Sequence, residues 1–292
     1  MIKPSRGEKI FNVFNMTFLG LLAFTTVYPF VYTVSISLST AAEAQREGLH
    51  LYPREVSLTA YKMVFSSNVF LYGYANTLFR TIVGTFLTLL MTSLFAYPLS
   101  KRNLPHRGVF MFVILFTMVF GGGLVPMYLL IKNLGLIDNR LVYVLPGMIG
   151  AFNVIIIKNF FQSIPDSLAE SAAIDGASDW RILFQIYMPL SKPVLATVAL
   201  WTAVGHWNAW FDAMIYISTP EKLVMQAYLR EIVIESSTAM VSKGLIDPDT
   251  TQFTPATIKA ATVIVTLLPI LLVYPFIQKH FMKGIMIGSI KG

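Results

Sequence analysis

The chain has 292 residues, 55% of them apolar and 13% charged, with 22 Lys+Arg against 15 Asp+Glu. That charge content is roughly half the ~25% of a soluble globular domain, too little to wet the exterior of a protein this size, and the apolar content excludes intrinsic disorder. Without cysteine, and with His50, His106, His206 and His280 widely scattered, the chain has no disulfide framework, thiol nucleophile or Cys-ligated metal, and reads as an all-α polytopic membrane protein.

A bilayer core takes about 20 mostly apolar helical residues per crossing. Charge-free runs at 10–42, 81–100, 108–131, 141–157, 193–211 and 260–278 predict six transmembrane helices. Lys3, Arg6 and Lys9 precede the first run, as in a signal peptide. The run far exceeds the ~7–15 residues of a signal core, so a retained helix is expected. The third run contains Gly121-Gly122-Gly123 and Pro126, which either admit a close neighbour or form a gating bend. The fourth is short, and Lys158 extends it by snorkelling.

The fifth run carries Trp201, His206, Trp207, Asn208 and Trp210, with Asp212 just beyond. Two readings stand. These residues form an aromatic belt at the outer interface, or they line the path of a ring-shaped polar solute, with indole faces covering its rings while Asn208 and Asp212 bind hydroxyls.

Six crossings put both termini on one side. With the termini inside, segments 1–9, 100–108, 158–192 and 279–292 hold 12 Lys/Arg and five acids, while the remainder holds ten of each. The whole net charge of +7 thus lies on the inner face, which the positive-inside rule assigns to the cytoplasm, and the basic balance needs no nucleic-acid partner. Residues 43–80, 132–140 and 212–259 are expected outside. In the last, an external insertion, Leu223, Leu229, Ile232 and Val233 predict a short helix on the outer membrane surface or on a partner, and Asp247-Pro248-Asp249 predicts a turn. Nothing marks a separable soluble domain, so 1–292 is expected to be a single transmembrane domain.

The cytoplasmic loop 158–192 differs from the others because it carries four acids. Pro165 suits a first helical turn, Asp166 complements the positive helix end, and Gly176 suits a left-handed C-terminal cap. Ten helical residues rise only ~15 Å, too short to cross, so this helix lies along the membrane surface. Ser178 then caps a second short helix, with Ile182, Leu183, Ile186 and Tyr187 as an apolar stripe and Pro189 as its stop. Ala169, Ala172 and Ala173 leave the knob's flank low enough for another backbone to approach.

Glu170-Ser171-Ala172, three residues, Gly176, nine residues, then Ile186-Tyr187-Met188-Pro189 resembles the EAA loop of ABC importer permeases, with Ser171 in place of an alanine and Met188 in place of a leucine. Ala173-Ile174-Asp175-Gly176-Ala177-Ser178, Pro189 and Pro193 are similar to the carbohydrate-uptake branch. Asn76-Thr77, Ala96-Tyr97-Pro98-Leu99-Ser100 and Gly288-Ser289-Ile290-Lys291-Gly292 resemble the smaller maltose-type permease subunit.

The resemblance implies a type I ABC importer permease fold in a bacterial inner membrane. It also implies a second permease subunit, two ATPase subunits that hold ATP and Mg, and an external solute-binding protein, with no cofactor on this chain and no enzymatic activity of its own. The coupling set would be Glu170, Ser171, Ala172, Asp175, Gly176 and Pro189, with Glu170 paired to a basic ATPase residue and Gly176 permitting the sharp turn. The tail from Lys279 to Gly292 would reach the ATPases or act as a positive anchor. The rivals are an importer of a non-sugar solute, and an ion-coupled carrier, for which His206 is the one clear intramembrane ionisable residue. An intramembrane enzyme lacks a nucleophile–base or metal set.

Overall fold

The long apolar runs of the sequence become long helices, because a backbone in hydrocarbon has to satisfy its polar groups within its own segment. The computed structural model describes residues 5–234 and 254–289, with side chains as far as Leu272. Helix α1 spans Arg6–Ser37 and opens on a capping box, in which Glu8 N–H donates to Ser5 Oγ (3.2 Å) and Ser5 N–H to Glu8 Oε2 (2.6 Å). It is apolar on every side, and only Ser35, Ile36 and Ser37 are buried, so the rest presents its surface to lipid or to another chain. Two short helices follow, α2 (Ala41–Ala44) and α3 (Thr59–Ser66). Among the described residues no strand forms beyond an isolated bridge between Ser39 and Val56.

Helix α4 runs Asn68–Ser100, 33 residues or roughly 50 Å, against a hydrocarbon core of about 30 Å. The charge-free run located its C-terminal end but not its start. Arg80 interrupts the hydropathy without interrupting the helix. Helices α5 (Arg107–Val119) and α6 (Leu124–Asn133) meet at a 114° bend, so the third predicted span is not one straight helix. The break falls at Gly121-Gly122-Gly123, where Gly123 has φ +88°, and a Cβ added at any of the three would meet nothing within 4 Å. Backbone freedom rather than close packing is what these glycines supply within this chain. Pro126 stands in the first turn of α6, where its missing N–H has no intrahelical acceptor to lose.

The fourth predicted span is also corrected. Arg140–Tyr143 forms a single 3₁₀ turn, and helix α7 covers only Ala151–Phe161, because Pro146-Gly147 and Gly150 interrupt the apolar run. Then come α8 (Asp166–Ile174), α9 (Asp179–Leu190) and α10 (Lys192–Asn208), with an 81° bend between the last two. Pro189 does not end α9. A π-turn over Leu183–Tyr187, with Met188 N–H reaching Leu183 O, carries the helix through to Leu190. Helices α11 (Phe211–Tyr216), α12 (Met225–Ile234) and α13 (Pro255–Ser289) complete the described elements. Asp247-Pro248-Asp249 lies outside them, as do the side chains of the Lys279–Gly292 tail.

The chain divides into two compact units, Met1–Phe70 with Leu229–Leu268, and Leu71–Tyr228 with Pro269–Gly292. In the first, α13 begins at a reciprocal cap, with Thr254 N–H donating to Thr257 Oγ1 (3.0 Å) and Thr257 N–H to Thr254 Oγ1 (3.3 Å). The second unit contains two apolar cores. One joins Ala96 and Tyr97 of α4 to Ile157 and Phe161 of α7, Ala169 of α8 and Tyr187 of α9. The other gathers Ile131 of α6, Val142 and Tyr143 of the 3₁₀ turn, Ala213 and Tyr216 of α11, and Val224.

Helix α12 packs one face on the start of the chain's own α4, while Val233 and Ile234 stay exposed. Met225 and Tyr228 are buried, and the Tyr228 ring would lie 2.8 Å from a Cβ at Gly73. Asn76-Thr77 explains why. Asn76 Nδ2 donates to Glu221 O and Leu223 O (both 2.9 Å), and Met225 N–H donates to Thr77 Oγ1 (2.8 Å).

Candidate functional site

The loop after α7 folds into the two-helix knob its residues predict. Pro165 stands at the N-cap position of α8 without a side-chain capping bond, and Asp166 occupies the first turn, where its charge opposes the helix dipole. The C-terminus is a Schellman turn: Gly176 N–H donates to Ala173 O (3.0 Å), Ala177 N–H donates to Ala172 O (2.9 Å), and Gly176 has φ +81°. Asp175 is the C-cap residue just before it, with its N–H on Ser171 O at 3.1 Å. Ser178 then caps α9, its Oγ accepting from Arg181 N–H.

The alanine flank faces the other way from the sequence expectation. Ala169 is buried and Ala172 partly buried against the chain's own core, so small size there lets α8 approach α4 and α7 rather than a partner. The outer face carries Glu170, Ser171 and Ala173, all exposed, and Glu170 makes no hydrogen bond among the described residues. Beside it lie three apolar side chains that the sequence reading passed over. Ile174 is 87% exposed, and Trp180 (64%) stacks on Phe184 at 6.3 Å with 9° between ring planes. Exposed apolar side chains thus lie beside the Glu170 carboxylate on one face of the knob. The available signal was an indole two residues after the helix cap Ser178. Between this knob and residues 97–105 opens a cleft of about 790 Å³, lined by Tyr97, Lys101 and Arg102 on one wall and Glu170, Asp179 and Trp180 on the other.

The six substrate-path candidates do not converge. Trp201 Nε1 donates to Asn153 Oδ1 (2.9 Å) and its ring lies against Phe152, which turns it toward α7. Trp207 is buried edge-on to Tyr74 at 5.7 Å, Trp210 stands edge-on to Phe211, and Asn208 is exposed at the end of α10. His206 and Asp212 come together around Arg80, which the hydropathy reading had placed at the rim of an external segment. The guanidinium grips Asp212 bidentately (2.9 and 2.5 Å), donates to Ala209 O (3.3 Å), reaches His206 Nδ1 at 3.5 Å and covers the Tyr143 ring at 5.1 Å. Gly84, one turn further along α4, makes room for the imidazole, since a Cβ there would lie 2.6 Å from His206 Nε2. The Asp212 carboxylate is thus held by Arg80, with part of its edge left exposed. Among the described residues, no three His, Asp or Glu side chains gather to hold a metal ion.

A second charged clamp ties 132–140 to 212–222. Asp138 accepts Ser218 and Thr219 N–H (3.1 and 2.9 Å), the Thr219 hydroxyl (2.6 Å) and the Lys222 ammonium (2.7 Å). Lys222 first, then the Thr219 donors, hold its carboxyl well below the usual carboxylate range. A depressed pKa contributes stability above the ordinary aspartate value near 4, and that contribution is lost as pH falls toward the folded value. Asp138→Asn tolerates the left-handed backbone (φ +55°) but lacks the charge. Its melting temperature in detergent should therefore lie below wild type at pH 7, and the gap should narrow as pH falls below about 4. A gap that stays constant across that range sinks this account.

Residues 70–287 match the family described as binding-protein-dependent transport system inner membrane component. The chain is 42% identical to Protein LplC of Bacillus subtilis, over 99% of this chain and 97% of that one. It is also 42% identical to the polygalacturonan/rhamnogalacturonan transport system permease protein YtcP of the same organism, over 98% and 99%. A chain from the crystal structure of a bacterial ABC transporter involved in the import of the acidic polysaccharide alginate superposes with a TM-score of 0.88 at 35% identity, over 96% of this chain and all of that one. With the EAA-type knob, the helical fold and these matches in agreement, the chain belongs to the inner-membrane permease components of binding-protein-dependent transport systems.

Proposed function

We propose that this chain is one of two permease subunits of an ATP-driven importer for oligosaccharides carrying carboxylate groups. An external binding protein delivers the solute, and two ATPase subunits drive the cycle through α8. The observation that carries the mechanism is the exposed knob: an unpaired Glu170 and the Ile174–Trp180–Phe184 patch on α8 and α9, whose other face is built into the core that holds α4, α7 and α10. Glu170, Ser171 and Ala172 form the docking helix. Asp175 and Gly176 make the turn that sets α9 at its angle, and Pro189 lies in the turn leading into α10. The substrate class is supported by the polygalacturonan and alginate relatives, since both polymers are built from uronic acids.

We further propose six crossings and cytoplasmic termini. Helices α1, α4, the bent α5–α6 pair, α10 and α13 supply five, and α7 with the irregular stretch before it supplies the sixth. The concentration of 12 Lys/Arg on the inner segments supports that orientation. The whole chain then acts as one permease domain in a multi-pass bacterial inner membrane, with ATP and Mg held by the ATPases. The bend at Gly121-Gly122-Gly123 and Pro126 is the natural place for a gate, and Trp201, Trp207, Asn208 and Trp210 remain candidates for the sugar path.

The test uses the full complex in proteoliposomes. Labelled trigalacturonate supplied with the binding protein should accumulate only when ATP is present inside, and neutral maltotriose should not compete. A cysteine at Ile174 should crosslink to an ATPase subunit and to no other. Accumulation without nucleotide overturns the transport mechanism, and competition by maltotriose overturns the substrate class.

A further inference from the structure

The apolar core beneath α8 and α9 gives attraction but no register, because hydrophobic contact is non-directional. A push delivered to the knob reaches α4 without slippage only if directional bonds join them. Two such bonds are present. Tyr97 OH donates to Asp179 Oδ1 (3.1 Å), and Lys101 Nζ donates to Tyr187 OH (2.9 Å). Lys101 stands just beyond the C-terminus of α4, and its ammonium lies 4.9 Å from the centre of the Tyr97 ring and 4.6 Å from that of Tyr187. The two rings meet edge to face at 5.0 Å, and Phe161 of α7 closes on Tyr187 at 5.5 Å. Tyr187 is 1% exposed and closes the π-turn of α9, so its hydroxyl has little freedom to find another partner. Gln162 adds a bond from the end of α7 to Ser100 O (3.3 Å).

We propose that Lys101, held between Tyr97 and Tyr187, is a positioning residue that makes α4 and the knob α8–α9 move as one rigid body. The cation touches neither solute nor nucleotide. It fixes the angle at which α9 meets α4, so displacement of α8 is passed to the spanning helix rather than absorbed as sliding at the apolar core. This rests on the transport reading above, and predicts a loss of coupling rather than of assembly.

The experiment compares Lys101→Met, Lys101→Arg and Tyr187→Phe in the full complex, reading labelled trigalacturonate imported per ATP hydrolysed. Methionine keeps the apolar stem and removes the charge. Import should fall on the order of tenfold while binding-protein-stimulated hydrolysis stays within about twofold, as loss of a half-buried cation–π contact with two rings allows. Arginine, which keeps both the charge and the ring contact, should restore the ratio. Tyr187→Phe should fall between them.

An unchanged ratio in Lys101→Met overturns the proposal, and so does a proportional fall of import and hydrolysis, which reports simple destabilisation. A second readout needs no solute. Spin labels at Phe95 and Phe184 should give a narrow distance distribution in wild type and a broader one in Lys101→Met. Equal widths overturn the proposal even if the wild-type complex imports nothing, an outcome that counts against the transport reading instead.

Discussion

Gly176→Val is expected to abolish solute uptake while the protein still reaches the membrane at normal levels. Gly176 sits at φ +81° in the Schellman turn that ends α8. An added Cβ would meet nothing within 4 Å, so the cost is backbone strain and not collision. A β-branched residue held in the left-handed region costs about 1–3 kcal/mol, which the turn avoids by leaving that region. Once it does, the Ala177 N–H bond to Ala172 O breaks and α9 enters at a different angle. The spanning helices do not depend on that turn, so insertion should persist. Asparagine tolerates the left-handed region, and Gly176→Asn should keep most of the activity. Uptake by membrane vesicles, normalised to the amount of inserted protein, separates the two variants. Normal uptake by Gly176→Val, or by Glu170→Arg, would overturn the coupling role of α8.

The largest stability effect is expected at Asp212→Ala. The Arg80 side chain is 6% exposed and that of Asp212 is 27%, so the pair is buried unequally. Removing the carboxylate strands a guanidinium that water cannot reach, which costs about 3 kcal/mol or more. Ala209 O, His206 and the Tyr143 ring offset only part of that. Removing the cation instead, as in Arg80→Met, leaves a carboxylate that rehydrates through its exposed edge, and about 1–2 kcal/mol is expected. The double variant should be more stable than Asp212→Ala alone, because neither charge is then unpaired. Melting of the detergent-purified protein, followed by loss of the monodisperse peak on heating, gives the order of the three variants. Equal losses in the two single variants would mean that the pair is hydrated and not a buried lock.

The two regions act on different links of the same chain of cause. The Arg80 cluster lies 20 residues from Ser100 along α4, roughly 30 Å of helix, and joins α4 to the end of α10 and to α11. The knob and its Lys101 tie hold the opposite end of α4. Under the proposal above, a helix held at Arg80 and again at its C-terminal end would pass displacement between those two points.

The sequence by itself determined the membrane class, the C-terminal end of α4 and the left-handed turn at Gly176. Each rests on local chemistry: the scarcity of charge, the stopping of an apolar run, and a glycine at the position where an α-helix has to turn left-handed. It also located the third span's interruption at Gly121-Gly122-Gly123, though not the choice between packing and bending. Only the tertiary structure decided that Arg80 belongs inside α4, because a hydropathy count records a charge without knowing that Asp212, 132 residues away, neutralises it. It alone assigned Ala169 and Ala172 to the chain's own core, carried α9 past Pro189 through a π-turn, and gathered His206 and Asp212 on Arg80 while sending Trp201, Trp207 and Trp210 to other partners. Those outcomes depend on which surfaces meet across long sequence separations, and such meetings leave no periodic signature in the chain that makes them.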